Sequence, residues 1–306
     1  MPLFKHLSLI PLAAALLLVP APARSADPVI QPGSPSLVTT SAEIRLTWLG
    51  TAGFVLEWGG TRFAVDPYIS RHPEAKPNIT IKVEDLLPLD ALLITHGHFD
   101  HAGDAEKIAW AAACPVYAPR SVTRDLEKKG YPPELLHPNE ATPGFSIGDI
   151  SVRVIRSRHI RFNPALVATI AGRVIRSFRT LEVLQLGLGY PLGSDSDFLA
   201  SYGGVSVYLS GSAGFGEETL RGLHADVALL PYAGRSDMLP VFGLALKMLE
   251  PAVLVPQHFD EFYPGFAPLG DLETLREFLG REYPQVKMVI PPPGIPFVVK
   301  VEPKKD

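Results

Sequence analysis

A dense cluster of histidine and aspartate follows a short apolar segment, and it constrains this chain more than any other feature. Residues 91–94 (ALLI) are continuously apolar, as in a strand buried on both faces. The chain then reads THGHFDHAGD, which contains His96, His98, Asp100 and His101. Residues two apart on an extended backbone point to the same side, so His96 and His98 can present nitrogens to one ion. A following turn would bring Asp100 and His101 toward a second ion; the alternative is a hydrogen-bonded turn without metal.

The composition limits which metal ligands and partners are available. The chain has 306 residues, 46% hydrophobic and 20% charged, which is enough apolar material for a globular core. Its 28 basic and 32 acidic residues give a net charge of -4, too little positive charge for a nucleic-acid-binding surface. The single cysteine, Cys114, excludes an intrachain disulfide and a multi-thiolate metal site. Any metal must therefore be held by histidine, aspartate or glutamate.

The N-terminal residues resemble an export signal. Lys5 precedes an apolar run over residues 7–19, and small residues lead to an expected cut after Ser25. The run is shorter than the roughly 20 residues that span a bilayer, which disfavours the alternative of an uncleaved anchor. We therefore expect a signal peptide over residues 1–25, a linker over residues 26–41, and a periplasmic or secreted mature protein.

The rest of the chain mixes two kinds of strand pattern with helical segments. Residues 43–69 alternate between apolar and polar positions, and Gly59-Gly60 is a hairpin signal between two of these strands. Residues 91–94 are followed by a segment of helical composition over residues 104–113. Antiparallel hairpins combined with strand-helix alternation predict an α/β (α+β) domain with helices packed outside the sheets.

One later segment has a helical apolar stripe. Apolar residues recur at spacings of three or four over residues 166–188, and arginines dominate its polar positions. The pattern fits an ordinary helix packed on the core. It also fits a lid over an active site, a dimer contact, or a helix that lies on a membrane surface.

The motifs together resemble the metallo-β-lactamase superfamily over most of the mature chain. Residues 46–54 (LTWLGTAGF) and Asp66-Pro67-Tyr68 are similar to the family's first sheet and first acidic position. His159, in the stretch SRH, matches the histidine of the family's third motif, and His258, in the stretch VPQHFD, matches the histidine of its last motif. The residues of these motifs are most similar to the branch of the family that contains phosphorylated-ascorbate lactonases and N-acylphosphatidylethanolamine phospholipase D. The resemblance implies a four-layer αββα sandwich over residues 42–303, with a helical insertion near residues 165–190.

The resemblance also implies a set of metal ligands. Two ions would each be held by three side chains, and Asp66 would support the site from behind without binding metal. Three protein ligands per ion leave open positions, as catalytic zinc requires. The implied first site is His96, His98 and His159, and the implied second site is Asp100, His101 and His258.

The sequence departs from the family pattern at the position of a bridging aspartate. The corresponding stretch, residues 208–214, reads YLSGSAG, and Ser212 stands where the aspartate belongs. A neutral hydroxyl is a weak zinc ligand and removes one negative charge between two dications. We therefore expect one tightly bound zinc per chain, with the second weaker or absent.

The implied function is an exported zinc-dependent hydrolase in which metal-bound hydroxide attacks an ester-like, lactone, amide or phosphodiester centre. Asp100 would orient the nucleophile and accept or relay its proton. The substrate is expected to be a small or lipid-like molecule, with peripheral membrane contact through residues 166–188 as one option. Two alternatives are a β-lactamase or lactonase proper, and a non-catalytic metal-binding protein with a degenerate second site. Aromatic residues after the last histidine either line a pocket or cover a sheet edge: Phe259, Phe262, Tyr263 and Phe266.

Overall fold

The computed structural model describes residues 42–160, 168, 172, 178–266 and 269–302. The expected signal peptide and linker, and most of the helical segment before residue 178, lie outside these residues. Residues 178–188 form a helix, in agreement with the pattern expected there.

Two seven-stranded sheets form the centre of the domain. The first sheet has the strand order β14-β1-β2-β3-β4-β5-β6 and the second has the order β13-β12-β11-β10-β9-β8-β7. The strands are β1 (Ala42–Gly50), β2 (Gly53–Trp58), β3 (Thr61–Val65), β4 (Ala91–Leu93), β5 (Val116–Ala118), β6 (Leu136–Pro138), β7 (Gly144–Ile147), β8 (Ile150–Ser157), β9 (Asp195–Tyr202), β10 (Val205–Leu209), β11 (Val227–Pro231), β12 (Val253–Gln257), β13 (Lys287–Met288) and β14 (Phe297–Val301).

Helices cover the outer faces of both sheets. The described helices are α1 (Val83–Leu86), α2 (Phe99–Ala102), α3 (Ala105–Ala112), α4 (Arg120–Lys128), α5 (Phe178–Leu188), α6 (Glu217–Leu220), α7 (Met238–Leu249) and α8 (Leu272–Glu282), with short 3-10 turns at Pro133–Leu135 and Asn139–Ala141. One apolar cluster joins α3 and α4 to the first sheet through Ile108 and Leu126. Another runs between the sheets and out to α7 and α8 through Phe242 and Leu275. The architecture is the expected αββα sandwich.

The local patterns explain how the first sheet forms. Ile44, Leu46 and Trp48 alternate along β1, and all three side chains are completely buried. Gly59 and Gly60 both have positive φ angles, 57° and 77°, which is what a tight two-residue hairpin between β2 and β3 requires. The alternation thus specifies β1, and the turn signal specifies the β2–β3 hairpin that pairs beside it.

The strand directions bring several loops to one edge of the sandwich. Strands β3, β4 and β5 run parallel in the first sheet, and β10, β11 and β12 run parallel in the second. Strand β8 is antiparallel to β9, which is antiparallel to β10, so β8 and β10 end at the same edge and β9 begins there. Ligands of α/β proteins commonly bind at such carboxyl edges.

No helix within the described part of the chain combines the length and the apolar character that crossing a bilayer demands.

Candidate metal centre

The six side chains expected to bind metal meet at this edge in two groups. In each group, one candidate ligand atom from every residue lies within 4.8 Å of those from the other two. The groups are His96, His98 and His159, and Asp100, His101 and His258. The structure therefore brings the residues together in the arrangement that the family resemblance implied, and their role as ligands remains a prediction.

The first group consists of imidazoles from two sheets. His96 and His98 follow β4 and His159 follows β8, with ring centroids 4.6–5.0 Å apart. The ring Nδ1 of His159 lies 3.0 Å from the carbonyl oxygen of Ile160, which favours a proton on Nδ1 and leaves Nε2 as the metal-binding nitrogen. The Nε2 atom of His96 is buried and has no hydrogen-bond partner among the described residues. A buried acceptor of this kind fits a cation.

The second group places a carboxylate between two imidazoles. The Oδ2 atom of Asp100 lies 3.3 Å from Nε2 of His258 and 3.7 Å from Nε2 of His101. The ring centroids of His96 and His101 are only 3.9 Å apart, so the two groups are immediate neighbours. The mixed nitrogen and oxygen donors suit zinc and other first-row transition metals.

Asp66 lies behind the second group and contacts its His101, and its supporting role remains a prediction. Its Oδ2 atom lies 2.7 Å from Nδ1 of His101, and its Oδ1 atom accepts a 2.7 Å hydrogen bond from the backbone N–H of Thr95. The positive φ of Asp66, 44°, is uncommon for a residue other than glycine. A carboxylate that binds the second nitrogen of a ligand histidine fixes its tautomer and orientation.

Burial and mutual proximity set the charge of the site. Burial lowers the pKa of His96. Burial and the electrostatic repulsion from His98 lower the pKa of His159 to about 4. Burial alone would also lower the pKa of His101, but Asp66 and Asp100 outweigh it and raise that pKa to about 9. His101 and His258 likewise outweigh the burial of Asp100 and hold its pKa well below the usual range. The first group is thus neutral and ready to bind a cation, and Asp100 is ionised.

Ser212, at the position of the expected bridge, contacts the loop of the first group. It is almost completely buried, and its Oγ atom accepts a 3.1 Å hydrogen bond from the backbone N–H of Ile160. The two loops approach so closely that a Cβ atom at Gly214 would lie 1.8 Å from the carbonyl oxygen of Arg158. Ser212 therefore sits beside His159, with its hydroxyl already engaged by the backbone.

Two sets of buried residues near the site were not identified from the sequence. Asp195 and Asp197 lie at the start of β9. The pattern Asp-Ser-Asp before an apolar run could have indicated them, because it places both carboxylates on one face of a strand. Asp260 accepts hydrogen bonds from the backbone N–H of Thr51 and from the side chain of Arg71. No local sequence pattern predicts these two contacts.

The aromatic residues after His258 form a cluster next to the metal groups. The ring of Phe262 lies 5.4 Å from that of His258 and 6.1 Å from that of Phe99. Tyr263 donates a 3.0 Å hydrogen bond to Glu182 on α5. The cluster thus joins the loop, the metal motif and α5, which places an apolar wall beside the site; its members are Tyr68, Phe99, Val183, Phe262 and Tyr263, with Tyr190 and Phe266 packed against them.

Comparison with known proteins agrees with this architecture. The family model for the β-lactamase superfamily domain matches residues 45–258. A UPF0173 metal-dependent hydrolase of Archaeoglobus fulgidus is 31% identical over 258 residues, covering 82% of this chain and 97% of the relative. Another from Methanosarcina mazei is 31% identical over 225 residues, covering 72% of this chain and 85% of the relative. The chain belongs to the metallo-β-lactamase superfamily.

Two solved structures show how widely this fold is used. Igni18, a metallo hydrolase from Ignicoccus hospitalis, is similar with a TM-score of 0.62 and 21% identity, covering 84% of this chain and 98% of that chain. CmlA, a diiron β-hydroxylase from Streptomyces venezuelae, has a TM-score of 0.52 and 16% identity, covering 86% of this chain and 55% of that chain. The fold alone therefore does not determine which metal is bound. The sequence relatives, by contrast, are named metal-dependent hydrolases, and this chain is a metal-dependent hydrolase of the same superfamily.

Proposed function

We propose that this protein is an exported zinc hydrolase that cleaves an ester-like, lactone or phosphodiester bond in a small or lipid-like substrate. The observation that carries the proposal is the pair of adjacent three-residue groups, with ionised Asp100 between His101 and His258. Export rests on the signal-like residues 1–25.

The donor set favours zinc. Three imidazoles form the first group, and two imidazoles with one carboxylate form the second. Zinc bound by three protein ligands lowers the pKa of a coordinated water to about 7 and polarises an electrophilic oxygen. The neutral state of His96, His98 and His159 means that no proton has to be displaced from the first group before a cation binds.

Asp100 is the residue suited to handle the proton of the attacking water. Its carboxylate is ionised and only 7% exposed, so it can accept a hydrogen bond from a water held between the two groups. Its backbone carbonyl accepts a 3.1 Å hydrogen bond from the Thr51 hydroxyl, which restrains the turn that carries it. This placement suits Asp100 to orient the water through that hydrogen bond and to relay its proton, because a carboxylate with a lowered pKa does not retain a proton.

The apolar surface beside the site supports a substrate with an apolar portion. The aromatic cluster borders His258, and Leu188 at the end of α5 is 86% exposed. The cluster itself is buried, and the exposed apolar residues, Leu186 and Leu188, lie on the helix whose Glu182 contacts it; such residues are suited to an acyl chain or to the surface of a lipid aggregate. Peripheral membrane contact through residues 166–188 belongs to this proposal.

The test compares metal-free protein with protein reloaded with Zn²⁺, Fe²⁺ or Mn²⁺. The substrates are p-nitrophenyl esters, simple lactones, bis(p-nitrophenyl) phosphate and a β-lactam. We expect zinc to restore turnover of one of the first three classes. The double variant His96→Ala/His98→Ala should lose both zinc and turnover, and Asp100→Asn should lose turnover while retaining the first zinc.

The control variant is His224→Ala, which removes a histidine outside both groups. It should keep both the zinc content and the activity of the wild type. A zinc-loaded wild type with no turnover above that of free zinc would identify the alternative, a non-catalytic metal-binding protein. Preferential turnover of the β-lactam would identify a β-lactamase.

A further inference from the structure

The metal centre lacks negative charge at its expected bridge. Ser212 contributes no charge, and its Oγ atom already accepts the hydrogen bond from Ile160. Asp100 is the one carboxylate within the two described ligand groups, and Asp66 adds a second behind His101. Two dications close together at short range repel each other strongly unless anionic groups compensate them. A centre of this composition therefore calls for another carboxylate.

Asp195 lies on a segment that is hydrogen-bonded to the backbone just before His96 and just before His159, two residues of the first group. It is the first residue of β9 and pairs in register with Ser157, two residues before His159. The following residue, Ser196, donates a 3.0 Å backbone hydrogen bond to the carbonyl oxygen of Thr95, the residue before His96. Asp195 is thereby held where the ends of β4 and β8 meet.

The carboxylate of Asp195 has no partner among the residues that the structure describes. It is 6% exposed, and both of its oxygens are without a hydrogen bond. Asp197, two residues further on the same face, is completely buried, and its Oδ2 atom accepts a hydrogen bond from the Tyr208 hydroxyl. No lysine or arginine within the described ranges forms an ion pair with either residue. Such burial of an anion costs several kcal/mol unless a cation compensates it.

The charged groups that act on Asp195 point to the metal centre. His101 is the cationic neighbour that favours its ionised form, whereas Asp197 and Asp66 oppose it. Burial, followed by the repulsion from Asp197, raises the pKa of Asp195 in the metal-free chain. A cation bound by the neighbouring histidines would reverse this balance by compensating the buried charge.

We propose that Asp195 supplies the metal centre with the negative charge that Ser212 lacks, and that it does so from the adjacent strand β9. Asp197 reinforces this charge from the next position on the same face. The inference rests on the proposed metal-dependent function, but it concerns how the ions are held and is tested by metal affinity.

The experiment measures zinc binding by competition calorimetry at pH 8 for the wild type, Asp195→Asn and the double variant Asp195→Asn/Ser212→Asp. We expect Asp195→Asn to weaken the more weakly bound zinc by about tenfold or more. The double variant should recover most of this loss, because the new carboxylate restores a charge at the bridge position.

Asp226→Asn provides the matched control. Asp226, the residue before β11, is also a buried carboxylate, and it accepts hydrogen bonds from the backbone and side chain of Ser206, outside both ligand groups. This variant should retain wild-type zinc affinity even where it lowers the unfolding temperature.

Thermal unfolding of the metal-free proteins separates a charge role from a structural one. An isosteric amide removes an uncompensated buried charge, so metal-free Asp195→Asn should unfold at the same temperature as the wild type or higher. Its gain in unfolding temperature on addition of zinc should be smaller. A variant with lowered metal-free stability and unchanged zinc affinity would overturn the inference.

The outcome is distinguishable from failure of the proposed function. If the wild type binds zinc and Asp195→Asn weakens that binding, but no substrate is hydrolysed, the hydrolase proposal fails and this inference stands. If the wild type hydrolyses substrate and Asp195→Asn binds both zinc ions as tightly, the inference fails and the hydrolase proposal stands.

Discussion

The backbone N–H of His258 donates a 2.8 Å hydrogen bond to the carbonyl oxygen of Thr51, and both residues have positive φ angles, 57° and 45°. The N–H of Thr51 in turn donates to both carboxylate oxygens of Asp260 at 3.1 Å, and Asp260 pairs with Arg71 at 2.7 Å. Backbone conformations of this kind persist only where surrounding contacts hold them. The position of His258 therefore depends on the loop after β1 and on one buried ion pair.

Asp260→Asn should destabilise the protein and weaken the second metal group. The change leaves the Arg71 guanidinium, 4% exposed, without its counterion, and loss of one partner of a buried pair costs about 3–5 kcal/mol. Urea unfolding of the metal-free protein measures this loss, and a zinc titration measures the effect on metal binding. The matched control is Asp237→Asn, which breaks another 2.7 Å pair, with Arg235, that is partly exposed and worth under about 1 kcal/mol. Equal stability losses in the two variants would contradict the role assigned to Asp260.

Asp66→Asn should lower metal affinity without preventing folding. The amide keeps the size of the side chain but no longer offers His101 an anionic acceptor, so the ring loses its fixed orientation. Removal of such a partner reduces affinity by about 10–100-fold. Competition with a chromophoric chelator measures the change, and circular dichroism checks that the variant folds. Unchanged affinity in a folded variant would show that Asp66 does not act through His101.

The metal-free protein should lose stability as the pH rises from about 6.5 to 9. Asp66 and Asp100 outweigh burial and raise the pKa of His101 to about 9 in the folded state, above its ordinary value of 6.5. A raised pKa stabilises the folded state fully below the ordinary value, and this contribution disappears as the pH passes the folded value. Burial raises the pKa of Asp195, which acts in the same direction. Thermal unfolding in chelator across this range tests the prediction, and His101→Asn should flatten the slope; a constant or rising unfolding temperature would contradict it.

Phe262→Ala should reduce activity on long-chain substrates more than on short ones. Phe262 is 3% exposed and lies between the rings of His258 and Phe99, so its removal opens the apolar wall beside the site. The measurement is the ratio of kcat/KM for p-nitrophenyl octanoate to that for p-nitrophenyl acetate. Phe278→Ala, which removes a ring on α8 that packs against Tyr283 and does not belong to the aromatic cluster, is the control. If both variants leave the ratio unchanged, the aromatic cluster serves only to cover the core.

The sequence by itself determined the features that depend on neighbouring residues. The alternation of Ile44, Leu46 and Trp48 and the Gly59-Gly60 turn specify the first strands, because strand faces and tight turns follow local backbone geometry. The spacing of His96 and His98 indicated a metal site for the same reason. The family resemblance added His159 and His258, which no local rule connects to that motif.

Only the tertiary structure decided which distant residues hold the site. Thr51 and Asp260 are 209 residues apart, Asp66 and His101 are 35 apart, and Asp195 reaches the site from a strand of the other sheet. None of these placements follows from periodicity: that of Asp66 requires the parallel strands β3 and β4 to end side by side, and those of Asp260 and Asp195 require the two sheets to pack with their strand ends at one edge. Burial then decides the chemistry, because water solvates an exposed carboxylate, whereas a carboxylate buried inside the sandwich needs a cation to compensate its charge.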